Sequence, residues 1–225
     1  MSAERMNLFG NHAPPQLREF YSPSPRLLYN PNAPWFGQFR RLMLYGPLSL
    51  QNLFVAPANT PLLEFLAIKG HTFSSQDSDH TPFPSTSGKI SLPHLVIICL
   101  QHKFMPCLLI LVAIIPSSSC DLHLSIAEDD FSPEDIDAFR NALIQYTQLY
   151  TVGTVTQLTL QVTIDSFDLF VQETSGFRLM IDVCTIWERW IDLCSSLIHM
   201  LTTFELSAVN EFSSFYTMVS MEIDL

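Results

Sequence analysis

Glycine is scarce in this chain, which has seven glycines in 225 residues. They lie too far apart to form the glycine-rich loops that hold phosphate groups or dinucleotides. The same spacing excludes the Gly-x-Ser-x-Gly turn that presents a serine nucleophile in many hydrolases. The sequence therefore carries no motif of a nucleotide-binding enzyme or of that class of hydrolase.

The cysteines of this chain do not occur in the closely spaced pairs that are typical of zinc sites and disulfide frameworks. The five cysteines are odd in number, show no Cys-x-x-Cys spacing and lie mostly in apolar runs. This pattern is typical of buried thiols in a reducing compartment. The first ten residues contain Glu4 and Arg5 and no continuous apolar run, so no cleavable signal is visible. We therefore expect an intracellular protein, cytoplasmic or nuclear, that uses no metal or other cofactor.

Basic residues are few, and their distribution is uneven. The formal net charge is −11, yet residues 1–41 carry a net charge of +3, and residues 104–225 carry −14. An acidic domain repels nucleic acid and anionic lipid. Contact with nucleic acid is therefore expected only through the basic N-terminal segment.

Residues 1–41 combine six prolines with asparagine, serine and arginine, a composition that does not sustain a helix. We predict that they form a mostly disordered arm. Ser22 and Ser24 each precede a proline and are candidate phosphorylation sites. An aromatic and basic cluster at the end of the arm is predicted to dock on the protein's own core or on a partner. The partner-binding candidates in it are Trp35, Phe36, Phe39, Arg40, Arg41 and Tyr45.

The next boundaries follow from local composition. Residues 42–70 are predicted to be a docking segment with a short helix over 61–68, because Thr60-Pro61 is a helix-start signal and Gly70 a stop. Residues 71–90 are rich in Ser, Thr, Asp and Pro and are predicted to be a linker loop. Residues 91–225 are predicted to form the core domain. The polar residues of the loop lack the number and rigidity of a metal site. They are His71, Asp77, Asp79 and His80.

Residues 92–116 are the most hydrophobic stretch, and two interpretations of it remain open. Two buried strands, 95–100 and 108–115, are favoured because Gln101, His102 and Lys103 interrupt the run. The alternative is a membrane span, since long apolar windows tolerate isolated polar residues. In that case the protein is membrane-associated and anchored by residues 92–116.

The last third of the chain alternates between two periodicities. A capping box at Ser132 and Asp135 predicts a helix over 133–149. Period-two alternation predicts strands within 158–164, 167–171 and 177–183, with a hairpin turn at 173–176, and a final strand at 219–225. Apolar residues at three- and four-residue steps predict a second amphipathic helix over 185–206.

Together these elements predict an α+β fold in which a mostly antiparallel sheet packs with two main amphipathic helices, 133–149 and 185–206. From Pro61 the predicted order is helix, two strands, helix, two or three strands and helix. This element order resembles that of the roadblock and longin class of small α/β modules. The resemblance implies a compact module of that class.

No set of residues identifies a reaction. Cys120 with His123 is the nearest nucleophile and base candidate, and Glu188 with Asp192 places two carboxylates one helical turn apart. Ordinary structural roles explain both pairs.

We therefore expect a non-enzymatic protein–protein interaction factor, such as an adaptor, a complex subunit or a viral regulatory or structural protein, that works in a hetero-complex. The alternatives are the membrane-associated protein and a small enzyme whose site only the fold assembles. Candidate residues for that enzyme are His102, Cys120, His123 and His199.

Overall fold

The structure is a computed structural model. It describes residues 18–22, 34–45, 57–70, 89–102, 104–127, 132–150, 153–163, 166–184, 195, 197–204, 206, 209 and 211–216. The strands are β1 (Glu19–Ser22), β2 (Arg41–Tyr45), β3 (Phe65–Lys69), β4 (Ile90–Ser91), β5 (Ile97–His102), β6 (Ile114–Ile115), β7 (Asp121–Ala127), β8 (Val155–Val162), β9 (Ser166–Glu173), β10 (Arg178–Cys184) and β11 (Glu211–Tyr216). The helices are α1 (Phe104–Ala113) and α2 (Pro133–Tyr150), with 3-10 turns at Pro34–Gln38 and Leu201–Thr203.

Within these ranges nine strands form one sheet, in the order β1-β2-β3-β5-β7-β10-β9-β8-β11. Its neighbouring strands are parallel except at β10–β9 and β9–β8. The predicted mostly antiparallel sheet is therefore wrong. The alternation in the last third of the chain predicts only the β8–β9–β10 meander, whereas parallel strands are joined by crossovers that leave no hairpin signature.

The strands β2, β3, β5 and β7 follow one another in chain order and repeat one pattern. Each contributes two buried apolar residues separated by one residue, and the first of each pair lies in register with its neighbours. These pairs are Leu42 and Leu44, Leu66 and Ile68, Ile98 and Leu100, and Leu122 and Leu124. The aligned positions 42, 66, 98 and 122 are separated by 24, 32 and 24 residues.

The backbone that leads into these strands also repeats. A turn closes before β2, β3 and β5, each time with an N–H that donates to the carbonyl three residues earlier. The pairs are Phe39 to Phe36 (3.2 Å), Leu63 to Thr60 (3.1 Å) and Leu95 to Leu92 (3.0 Å). The carbonyl of Arg40 then accepts the N–H groups of Glu64 and Phe65, and the carbonyl of Glu64 accepts those of Val96 and Ile97. A turn and the strand that follows it thus form one repeated unit, and each of these units is bonded to the next in the same way.

The hydrophobic stretch at 92–116 holds a six-residue strand, a helix and a two-residue strand, which corrects the prediction of two long strands. β5 coincides with most of the first predicted strand, but the second lies in α1 and the two-residue β6. α1 connects the parallel strands β5 and β7, and it packs against both of them and against α2. No helix in the described ranges is long and apolar enough to cross a membrane.

Two further predictions need correction. The helix expected over 61–68 is absent, because a turn closes between Thr60 and Leu63 and residues 65–69 form β3, in which residues 66–68 are buried. The helix expected over 185–206 falls partly outside the described residues. Its described part is helical at 197–200 and then becomes the 3-10 turn, and Phe204 is already extended.

The roadblock and longin element order is consequently wrong, because a predicted helix is a strand and a predicted strand is a helix. α2 confirms the predicted helix at 133–149: the Ser132 Oγ accepts the Asp135 N–H at 3.1 Å, and the Ser132 N–H donates to the Asp135 Oδ2 at 3.2 Å. The strand predicted at 219–225 lies outside the described residues, and the structure places an unpredicted strand, β11, at 211–216.

The described N-terminal residues share one core with the rest of the fold. Phe20, Phe36 and Phe39 belong to the same buried apolar cluster as the residues of β5, β7, α2 and β10. Regular structure is therefore present within the predicted arm, at 19–22 and 34–38. Residues 1–17 and 23–33 of that arm, and residues 71–88 of the predicted linker, lie outside the described residues.

Candidate functional site: the open face of the sheet

The two faces of the sheet differ in what covers them. One face carries the buried residues of the strands, and Cys107 and Ile110 of α1 and Phe139 and Leu143 of α2 pack into the same core. Strand residues of the opposite parity form the other face, which we call the open face. In β9 these residues are half-buried and in β10 they are half-buried or exposed, whereas their neighbours are buried.

The open face consists of three rows that cross the strands. The central row is Tyr21, Met43, Ala67, Cys99, His123, Met180, Phe170, Thr159 and Ser213. The first row, on the side where the parallel strands begin, includes Arg41, Phe65, Ile97, Asp121 and Arg178. The last row includes Tyr45, Lys69, Gln101, Ser125, Asp182, Asp168 and Gln161. Tyr21 and Met180 of the central row are the most exposed, at 53% and 41%.

A bidentate ion pair lies in the first row, between β7 and β10. The Nε and Nη2 of Arg178 donate to the Asp121 Oδ2 at 2.9 and 2.6 Å, and the Arg178 N–H donates to Oδ1 at 2.9 Å. The Asp121 side chain is nearly buried, whereas the Arg178 side chain is about half exposed. Its hydrogen bonds fix the carboxylate, so this pair supports the sheet and offers no reactive group.

Cys99 and His123 are the closest approach to a nucleophile and a base. The Cys99 Sγ lies 3.7 Å from the His123 Nδ1. Burial raises the pKa of the Cys99 thiol above its usual value, with Lys69 opposing and Asp121 adding to the shift. Burial also lowers the pKa of the His123 imidazole below 6.5. Near pH 7 the pair is therefore a neutral thiol beside a neutral imidazole, without the thiolate that a cysteine nucleophile requires.

Two carboxyl groups face each other in the last row. Asp168 on β9 and Asp182 on β10 are register partners across the antiparallel pair. The Ser125 Oγ donates to the Asp182 Oδ2 at 3.2 Å. Burial is the main cause that raises the pKa of Asp168, and the neighbouring Asp182 acts in the same direction. The two groups therefore share a site in which full ionisation of both is unfavourable.

The residues proposed for an enzyme are not brought together. Cys120 is buried and, two residues before Leu122, belongs to the covered face of the sheet. Burial raises its pKa to about 12. His123 lies on the open face. His102 is buried and His199 is exposed. Glu188 and Asp192 lie outside the described residues.

In the described part of the chain no group of three or more His, Cys, Asp and Glu residues is placed to hold a metal ion. His71, Asp77, Asp79 and His80 lie outside the described residues.

The aromatic candidates for partner binding occupy different positions. Phe36 and Phe39 are fully buried, with ring centroids 5.2 Å apart, so neither presents surface to a partner in this structure. The Trp35 side chain, like Ser24, lies outside what the structure describes, and Ser22 ends β1.

The polar candidates of the same cluster are nearer the surface. Arg40 is exposed and forms an ion pair with Glu64. Arg41 and Tyr45 belong to the open face, where the Arg41 guanidinium lies 4.9 Å from the centroid of the Phe65 ring. The sequence missed Cys99, Met180, Asp168 and Asp182 as neighbours, because only the strand register brings them together.

Comparisons with known proteins give no relative. No protein-family model matches the chain, and neither the search of curated proteins nor the search of solved structures finds a match.

Proposed function

We propose that this chain is a non-enzymatic protein-binding protein that holds its partner on the open face of the sheet, as an adaptor or as a subunit of a hetero-complex. The observation that carries this proposal is the asymmetry of the sheet. α1 and α2 pack on one face, whereas the open face has mostly exposed and half-buried side chains, with Ala67 and Asp121 as buried exceptions, and neither helix covers it. Exposed apolar residues within an ordered polar surface are typical of interaction sites.

The repeated units support a binding role. Proteins that add one parallel strand for each repeat build extended sheet surfaces, and these surfaces bind partners. Three units here follow the pattern apolar-x-x-apolar-x-apolar that leucine-rich repeats share: Phe39 to Leu44, Leu63 to Ile68, and Leu95 to Leu100. The fourth has Ser119 in the first position. The Asn or Cys of that pattern is also missing, since Pro47, His71, Lys103 and Ala127 occupy its place. The proposed binding role therefore depends on the strand geometry and not on membership of a family.

The size of the open face suits a partner of ordinary dimensions. Strands lie ~4.8 Å apart and rise ~3.3 Å per residue. Nine strands with three rows of outward residues therefore offer roughly 600 Å². A typical stable interface buries about 800 Å² on each partner. The open face thus accounts for most of such an interface.

We place this activity inside the cell, as the cysteine pattern predicts, since exposed and half-buried thiols at Cys184 and Cys99 suit a reducing compartment. The aromatic and basic cluster of residues 35–45 remains a second candidate contact. Its Arg41 and Tyr45 border the open face, so both surfaces can serve one partner.

The test is site-specific photocrosslinking of the full chain in its native complex. A photoreactive residue at position 180 lies on the open face, and one at position 112 lies on the exposed side of α1. We expect a defined protein crosslink from position 180 and little from 112. The substitution Met180→Glu should release that protein, whereas Val112→Glu should retain it. Full retention of every co-purifying protein by a folded Met180→Glu variant would refute the proposal.

A further inference from the structure

An acidic pair and an apolar pair lie side by side on the open face. Asp182 and Asp168 face each other across β10 and β9, and so do Met180 and Phe170, two residues away along each strand. Partners across an antiparallel pair are ~5 Å apart, and residues i and i+2 on a strand are ~7 Å apart. These four side chains, which we call the acidic–apolar square, therefore form one small patch.

The acidic half of the square has no basic partner among the described residues. The ion pairs there are Arg40–Glu64, Arg41–Glu19, Arg140–Asp137 and Arg178–Asp121. Within the part of the chain that the structure describes, the donors to Asp182 are the Ser125 hydroxyl and the Cys184 thiol, and neither carries a positive charge. Asp121, two rows away, has an arginine partner on the same sheet, as expected for a carboxylate that serves the fold alone.

Like charges directly opposite each other across two strands destabilise a sheet. This pair of carboxyl groups lies next to Met180, an apolar side chain that is 41% exposed. One ligand can both neutralise the two facing carboxyl groups and bury the Met180 side chain, if it is basic on one side and apolar on the other. Features that break local rules in this way tend to mark functional positions.

We propose that the acidic–apolar square binds a segment of a partner protein that places a Lys or Arg side chain on Asp168 and Asp182 and an apolar side chain on Met180 and Phe170. This inference rests on the proposed function and names the chemistry of its partner. A cation between the two carboxylates removes their repulsion, and an arginine can bond both at once. Side chains two apart on a strand, or one turn apart on a helix, have the spacing that the square requires. The net charge of −14 beyond residue 104 favours the same sign of partner.

The experiment is selection of a displayed random 12-residue peptide library on the immobilised full chain, followed by affinity measurement with individual labelled peptides. We expect enrichment of peptides that combine Lys or Arg with aliphatic or aromatic residues. Their Kd should rise at least about tenfold in the Asp168→Asn/Asp182→Asn variant, which corresponds to losing about 1.4 kcal/mol, and their binding should weaken with salt. Asp137→Asn, which removes an exposed charge on α2, is the matched control and should leave the Kd unchanged.

The outcomes separate the two proposals. One outcome is that the selected peptides lack basic residues, bind the double variant as well as the parent chain, and no longer bind Met180→Glu. This outcome would overturn the basic chemistry of the ligand but would keep the open face as the binding surface. Peptides insensitive to every open-face substitution overturn both. Calcium binding to the parent chain, measured by calorimetry and lost in the double variant, would assign the carboxyl pair to a metal ion and overturn the peptide proposal.

Discussion

Asp121 and Arg178 join two parts of the chain that are 57 residues apart, and three hydrogen bonds connect them. Asp121 begins β7, the last strand of the repeated units, and Arg178 begins β10, the strand of the antiparallel meander that pairs with β7. The pair therefore lies at the seam where the sheet changes from one construction to the other.

Substitution of Asp121 by asparagine should weaken this seam. The variant keeps one acceptor but loses the charge that strengthens both guanidinium bonds, and hydrogen bonds to charged groups contribute about 1.5–3 kcal/mol. We expect the free energy of unfolding in urea to fall by about that amount. Asp137→Asn, whose partner Arg140 lies on the surface of α2, should change it by less than about 1 kcal/mol. Equal effects of the two substitutions would contradict a structural role for the seam.

Phe39 provides a test of where the aromatic cluster acts. Because its ring is fully buried against Phe36 and Phe20, Phe39→Ala should lower the free energy of unfolding by about 3–5 kcal/mol. Arg40→Ala, at the next residue, removes an exposed side chain and should cost less than about 1 kcal/mol. Thermal melting of the isolated chain measures both. A Phe39→Ala variant of parental stability would return this ring to the list of partner contacts.

The thiols should differ in reactivity by position. Burial raises the pKa of Cys120 to about 12, and the residue has no exposed surface, so both accessibility and ionisation oppose its modification. Cys184 is exposed. Brief treatment with a maleimide at pH 7.5, followed by peptide mass mapping, should label Cys184 first, Cys99 slowly and Cys120 only after unfolding. Early labelling of Cys120 would show that the region before β7 opens readily.

Asp168 should make stability depend on pH in a defined direction. Its pKa in the folded state lies above the ordinary value of 3.8, so the folded state binds more protons than the unfolded state between these two values. The free energy of unfolding therefore falls as pH rises through that window. Asp168→Asn removes the repulsion and should stabilise the protein at pH 7 by about 0.2–1 kcal/mol. Urea unfolding at pH 4 to 7 measures the effect, and a less stable variant at pH 7 would contradict it.

Local signals predicted the parts of the fold that are locally determined. The capping bonds between Ser132 and Asp135 fix the start of α2, and the turn before β10 requires a residue with positive φ, which Gly176 supplies at 89°. The parallel strands were harder to predict. β3 is five residues long with three consecutive buried positions, so it has no period-two pattern, and α1 is apolar throughout, so its sequence shows no three- and four-residue periodicity.

The candidate surface depended on information that the sequence does not hold locally. Cys99 and His123 are 24 residues apart, and Asp121 and Arg178 are 57 residues apart. Only the register of β5, β7 and β10 makes them neighbours. The alternation of β9 and β10 does place Asp168, Phe170, Met180 and Asp182 on one face, but whether that face is covered depends on where α1 and α2 pack.

The order in which strands join the sheet has a consequence for biosynthesis. Each early strand pairs with the one made 22 to 32 residues before it, so these units can assemble one after another as the ribosome releases them. The β7–β10 junction must wait until a further 57 residues have emerged. The extra entropy of that longer closure is under about 1 kcal/mol. The delay is therefore set by translation, and during it the growing sheet ends at an unpaired β7.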